Sequence, residues 1–163
     1  MSAVRAVEPD PALAEILPGA HFIDAYRVAV AEPGLDAETA ARRMFESAPG
    51  WVDGLMRLRD AIVAPFGVKT SKEAASSNHR TIGFFPIQSD TPSRIVLGFE
   101  DSHLDFRVVV DVVAAADGAA ITAATLVRLN NLFGRAYLTA IMPFHRLIVR
   151  SMLKQLAARS AHP

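Results

Sequence analysis

The sequence predicts an α+β domain in which a curved antiparallel sheet is wrapped around a long C-terminal helix. Three observations carry that expectation. Between Thr81 and Leu129, segments rich in β-branched and aromatic residues follow one another across turn signals, as in a meander. The run from Asn130 to about Arg159 keeps one apolar stripe at helical spacing. Two shorter helical patterns stand between the first strand and the meander. A long helix with one apolar side needs a surface to cover, and the meander offers one.

Residues up to Ala20, interrupted by Pro9, Pro11 and Pro18, read as an irregular arm with at most a short turn around Leu13 to Leu17. Phe22 to Val30 reads as a strand with Tyr26, Val28 and Val30 on one face, closed by Pro33-Gly34. Asp36 then caps a helix whose apolar side is Ala37, Ala40, Met44 and Ala48, with Glu38, Arg42 and Glu46 opposite. After Pro49-Gly50 a second helix carries Trp51, Leu55, Leu58, Ile62 and Phe66 on one side and stops at Gly67. Val68 to Arg80 is polar and reads as a mobile loop.

Four strands follow: Thr81 to Gln88, Ser93 to Phe99, His103 to Ala114, and Ala119 to Leu129, the last pair joined at Asp117-Gly118. In the third of these, alternation puts Leu104, Phe106, Val108, Val110 and Val112 on a core face, and His103, Asp105, Arg107 and Asp111 on a wet one. The final helix begins at Asn130 or Asn131. Its stripe is Phe133, Tyr137, Ile141, Phe144, Ile148 and Met152, and Pro143 should kink it around Thr139.

The chain has the length of one domain, residues 1–163, and can bury a core without staples. Seventeen basic and seventeen acidic side chains cancel, which argues against nucleic acid as a partner. There is no cysteine, hence no disulfide, thiolate nucleophile or cysteine-bound zinc. Neither a signal peptide nor a membrane-length apolar run is visible, so a cytoplasmic protein without membrane insertion is expected.

Several strings resemble a known family: Trp51-Val52 with Leu58-Arg59-Asp60, then Ile82-Gly83-Phe84-Phe85-Pro86, His103-Leu104-Asp105-Phe106-Arg107, Gly134-Arg135-Ala136-Tyr137, and Pro143-Phe144-His145-Arg146-Leu147. They are similar to an uncharacterised bacterial domain-of-unknown-function family, number 2867. The order of elements resembles the helix-grip superfamily of START lipid-transfer domains, birch-pollen allergens and polyketide cyclase-like proteins, also called SRPBCC-like. That resemblance implies a cavity between sheet and last helix for a hydrophobic or amphipathic small molecule.

On this reading Trp51, Phe84, Phe106, Tyr137 and Phe144 are the candidate ligand contacts, with core packing as the bland alternative. His103, Asp105 and Tyr137 are the candidate proton-transfer groups if they share a cavity; otherwise they belong to a solvated face with cross-strand ion pairs. His103, Asp105 and distant His145 imitate a two-histidine, one-carboxylate iron site. That site belongs to double-stranded jelly rolls, so neither metal nor cofactor is expected. Ser102 beside His103 makes no triad, because neighbours on a strand point apart. His145 reads as a structural donor, His79 as part of the loop, and His21 and His162 as terminal residues without chemistry. Gly134 should let the last helix approach the sheet, and Arg135 with Asn131 could hold an anion at its start. The alternatives to ligand binding are a metal-independent cyclase, hydrolase or dehydratase using the same cavity, and a protein-interaction or homodimerisation module meeting its partner through the outer sheet face or Arg146, Arg150 and Lys154.

Overall fold

The computed structural model describes residues 2–46, 48–67 and 80–161. Among them the strands are β1 (Arg5–Val7), β2 (Phe22–Val30), β3 (Thr81–Ile82), β4 (Phe85–Asp90), β5 (Arg94–Glu100), β6 (Leu104–Ala115) and β7 (Gly118–Leu129). The helices are α1 (Ala37–Glu46), α2 (Gly50–Val63) and α3 (Leu132–Ser160). The strands form one curved antiparallel sheet in the order β1-β2-β7-β6-β5-β4-β3. The meander therefore holds from β4 to β7, and β2 closes onto β7 with Phe22 opposite Val127 and Val30 opposite Ala119. The expected loop, apart from Arg80, lies outside the described residues, as do His79 and His162.

Where one strand was expected from Thr81 to Gln88, there are two. Gly83 has φ 59°, a left-handed backbone that suits glycine, and it turns the chain so that Ile82 faces Phe85. The apolar run across Ile82 to Phe85 hid that turn. Farther along β4, a register shift between Ile87 and Ser89 marks a bulge, a device that bends a strand.

The inner face of the sheet carries the main core. Val28, Ile95, Leu97, Val110 and Ile121 pack there with Met44 of α1 and Leu153 and Leu156 of α3. Asp36 caps α1 by accepting from the backbone and hydroxyl of Thr39, both at 2.8 Å. Ala37, Ala40 and Ala41 are fully buried and let that helix lie close to its neighbours.

The outer face, expected to be wet, is covered. Leu13 and Leu17 are each 2% exposed and pack on Val109, Ala124 and Leu126. A 3-10 turn at Pro11–Glu15, whose N-cap Asp10 accepts from the backbone of Ala12, presents these leucines. The pairing of β1 with β2 ties the arm down. The prolines that made this segment look irregular interrupt an ordered cover.

α2 also corrects an expectation. Of its stripe, Trp51, Leu58 and Ile62, with Phe66 just past the helix, face outward, Trp51 41% and Phe66 64% exposed, and Leu55 is half-buried. The inner side is Val52, Met56, Arg59 and Val63. Both sets have helical spacing, about one residue's rotation apart, so periodicity alone could not choose between them. Gly67, at φ 70°, ends the segment as expected.

The N-cap of α3 is Asn131, which accepts from the backbone of Gly134 at 2.8 Å. The helix continues unbroken through Pro143. Its second half buries Val149, Met152, Leu153 and Leu156. At its start a Cβ on Gly134 would lie 2.1 Å from the carbonyl oxygen of His103, so only glycine permits this contact. No described helix is long and apolar enough to cross a membrane.

Candidate functional site

Between the inner face of the sheet and the three helices lies a cavity of about 330 Å³. Its walls are mostly apolar: Phe106 and Val127 from the sheet, Val52 and Met56 from α2, Leu138 and Ile141 from α3. Five ionisable side chains interrupt this surface, Asp53 of α2 among them, and the other four mark two places. Arg59, His103 and Tyr137 meet at one, and His145 marks the other.

His103 reaches the cavity because it sits in the bend before β6, which begins at Leu104. Strand alternation grouped it with Asp105, Arg107 and Asp111, and the bend breaks that parity. Its side chain is 1% exposed and stands edge-on to the rings of Tyr137, at 4.9 Å between centroids, and Phe133, at 5.7 Å. Neither ring nitrogen has a hydrogen-bond partner among the described residues; Nδ1 lies 3.9 Å from a carboxylate oxygen of Asp101. Burial lowers the pKa of this imidazole, Asp101 opposing and Arg59 reinforcing the shift. His103 is therefore a neutral group at physiological pH, with one donor and one acceptor nitrogen.

Tyr137 occupies the second turn of α3. Its oxygen accepts from Nε of Arg59 at 2.8 Å, and Arg59 also pairs with Asp60 at 2.7 Å. The guanidinium carbon is 5.7 Å from the centre of the phenol ring. Burial raises the pKa of Tyr137 against the pull of Arg59, which keeps the phenol protonated. That proton has no acceptor among the described residues.

Two turns farther along α3, Nε2 of His145 faces the carboxylate of Asp24, at 3.4 Å from Oδ1 and 3.3 Å from Oδ2. Asp24 shares the inward parity of Tyr26 and Val28 on β2. A carboxylate only accepts, so Nε2 is the donor and a neutral ring keeps its lone pair at Nδ1.

Asp105 lies behind the sheet. It pairs with Arg128 at 2.5 Å and accepts from Asn130 at 3.2 Å, while Arg128 also donates to the carbonyl of Pro18 in the arm. Arg107 is held by Glu100 and by the carbonyl of Phe99, and Asp111 by Arg94. These are cross-strand ion pairs on the outer face, one of them joined to the arm through Pro18, and the sheet separates them from His103. No three histidine or acidic side chains among the described residues are placed to hold a metal ion.

Phe84, Phe106, Tyr137 and Phe144 line the cavity, and Trp51 does not. Arg59 and Asp24 were not among the sequence candidates, and His145 was weighed there only as a metal-site mimic and a structural donor. Two signals were available: Arg59 stands in register with Val52, Met56 and Val63, and Asp24 is a charge at an inward position of an otherwise apolar strand face.

The family model described as "Protein of unknown function (DUF2867)" matches residues 16–152. The chain belongs to that family. The match takes in every cavity residue named above, so the cavity belongs to the DUF2867 region itself. None of the curated proteins matches the chain. Among solved structures, the chain is similar to a Rhodobacter sphaeroides protein whose crystal structure came from a structural genomics consortium. The two share 10% identity with a TM-score of 0.42, over 97% of this chain and 94% of the other. At that distance the likeness carries no argument about this chain.

Proposed function

We propose that this DUF2867 chain is a small-molecule-binding domain of helix-grip type, holding a hydrophobic or amphipathic ligand between sheet and α3 without a metal. The observation that carries the reading is the 330 Å³ cavity, an apolar space of ligand size with few polar groups turned toward it. Phe84, Phe106, Tyr137 and Phe144 supply the contacts, and the first half of α3 forms the roof. Ligand-dependent melting and native mass spectrometry against a panel of lipids and aromatic metabolites test it. At least one compound should raise the melting temperature of the native chain and lose that effect in Ile141→Trp, which fills the cavity. A panel without a binder, or unchanged binding in the filled variant, contradicts the reading.

A second reading, a metal-independent cyclase, hydrolase or dehydratase, is favoured by one observation: the cavity wall holds a histidine backed by a carboxylate, a geometry suited to a general base. In this reading His145 and Asp24 take the place expected of Asp105. Turnover of a bound compound that Asp24→Asn abolishes, with binding kept, is the expected result; binding without turnover favours the first reading.

A further inference from the structure

Asp53 of α2 aside, the ionisable groups of the cavity are gathered at two poles. His145 follows Tyr137 by eight residues, which places the poles roughly 12 Å apart along α3. The sheet gives a similar spacing. His103 adjoins the Leu104–Leu129 pair, whereas Asp24 stands in the row of Thr125 and Val108. Those rows are four residues apart on β6, roughly 13 Å. Phe106 and Val127 below, with Leu138 and Ile141 above, make the surface between them apolar.

The poles also differ in what they offer. At the first, the O–H of Tyr137 is a donor, its oxygen already engaged by Arg59. Beside it stands His103, 1% exposed and without a hydrogen-bond partner for either nitrogen among the described residues. At the second, His145 stands on the cavity wall with Nε2 3.4 Å from Asp24, and a neutral ring that donates there keeps a lone pair at Nδ1. A carbonyl or carboxylate oxygen suits the first pole, and a hydroxyl suits the second.

Building on the binding role proposed above, we infer that the cavity selects a two-ended ligand: an extended apolar body with a carbonyl or carboxylate oxygen at Tyr137 and a hydroxyl at His145. An ω-hydroxy acyl chain of medium length is the simplest member of this class. In a cavity that was merely apolar, a terminal hydroxyl would be a penalty, because its hydration would be lost without replacement. The sign of its effect on affinity therefore decides the matter.

The experiment is isothermal titration of the full chain with dodecanoate, ω-hydroxydodecanoate and ω-methoxydodecanoate near neutral pH. The hydroxy acid should bind about tenfold more tightly than dodecanoate, the value of one well-placed hydrogen bond to a basic group. The methoxy compound, which cannot donate, should lose that gain. Tyr137→Phe should weaken all three alike. His145→Phe should remove only the preference for the hydroxyl, and Asp24→Asn, which keeps the shape of the wall, should reduce it. Dodecanoate binding as tightly as the hydroxy acid overturns the two-ended selection and leaves the binding role intact. If no acyl chain binds while other panel compounds do, the acyl class is overturned alone; if nothing binds, both readings fall.

Discussion

His103 and Asp105 are two residues apart, yet they end on opposite faces of the sheet with opposite surroundings. On the outer face every charge named above has its partner: Asp105 with Arg128, Arg107 with Glu100, Asp111 with Arg94. On the inner face, both nitrogens of His103 and one carboxylate oxygen of Asp24 are buried without a hydrogen bond among the described residues. Buried polar groups are ordinarily satisfied, since leaving one unpaired costs about 1–3 kcal/mol. The contrast teaches that ionisable type alone does not mark a site. The outer charges are satisfied within the fold, one pair being joined to the arm through Arg128 and Pro18, whereas the inner groups are left without such partners.

The contrast can be broken from either side. The largest effect is expected at Gly134, where Gly134→Val drives a side chain into the carbonyl of His103; chemical denaturation should show a loss of about 3 kcal/mol. On the outer face, Asp105→Ala strands Arg128 and removes one of the two bonds donated by the side-chain amide of Asn130. Because Arg128 is partly exposed the cost is discounted to about 2 kcal/mol, and limited proteolysis should cut the arm faster. A denaturation midpoint unchanged by Asp105→Ala would mean that the outer network is ornamental.

For the inner face the measurement is pH. The folded chain holds the pKa of His103 below its ordinary 6.5, so the unfolded chain binds more protons as the solution is acidified. The contribution of this residue is complete above about 6.5 and is lost as pH falls toward the folded value. Melting temperature should therefore decline more steeply below that pH in the native chain than in His103→Phe, and equal slopes would contradict the burial argument. The smallest effect belongs to the outward stripe of α2: Leu58→Gln should change stability by less than about 0.5 kcal/mol, since Leu58 is 57% exposed.

Much of the architecture was legible because it rests on local rules. The Asp36 and Asn131 caps, the alternation along β6 from Leu104 onward, and the stripe of α3 each follow from a few neighbouring residues. What escaped depends on long-range packing or on short departures from a pattern. β1 is three residues long, the turn at Gly83 is buried in an apolar run, and the two stripes of α2 can be separated only by knowing where the sheet lies. The site divides in the same way. Phe106, Tyr137 and Phe144 stand on predicted apolar faces, and Phe84 lies in the turn between β3 and β4. The pairing of Asp24 with His145 joins residues 121 positions apart, and only the closure of β2 onto β7 brings them together.

The start of α3 is fastened to the turn before β6 by main chain as much as by side chains. The amide of Asn130 bonds the carbonyl of His103, and the side chains of Asn130 and Asn131 reach the carbonyls of Asp101 and Ser102. The corner holding His103 and Tyr137 thus has its dimensions set by peptide groups that survive most substitutions. Descendants of this chain are free to resize the apolar interior, and with it the molecules they accept, while the geometry of that corner passes on unaltered.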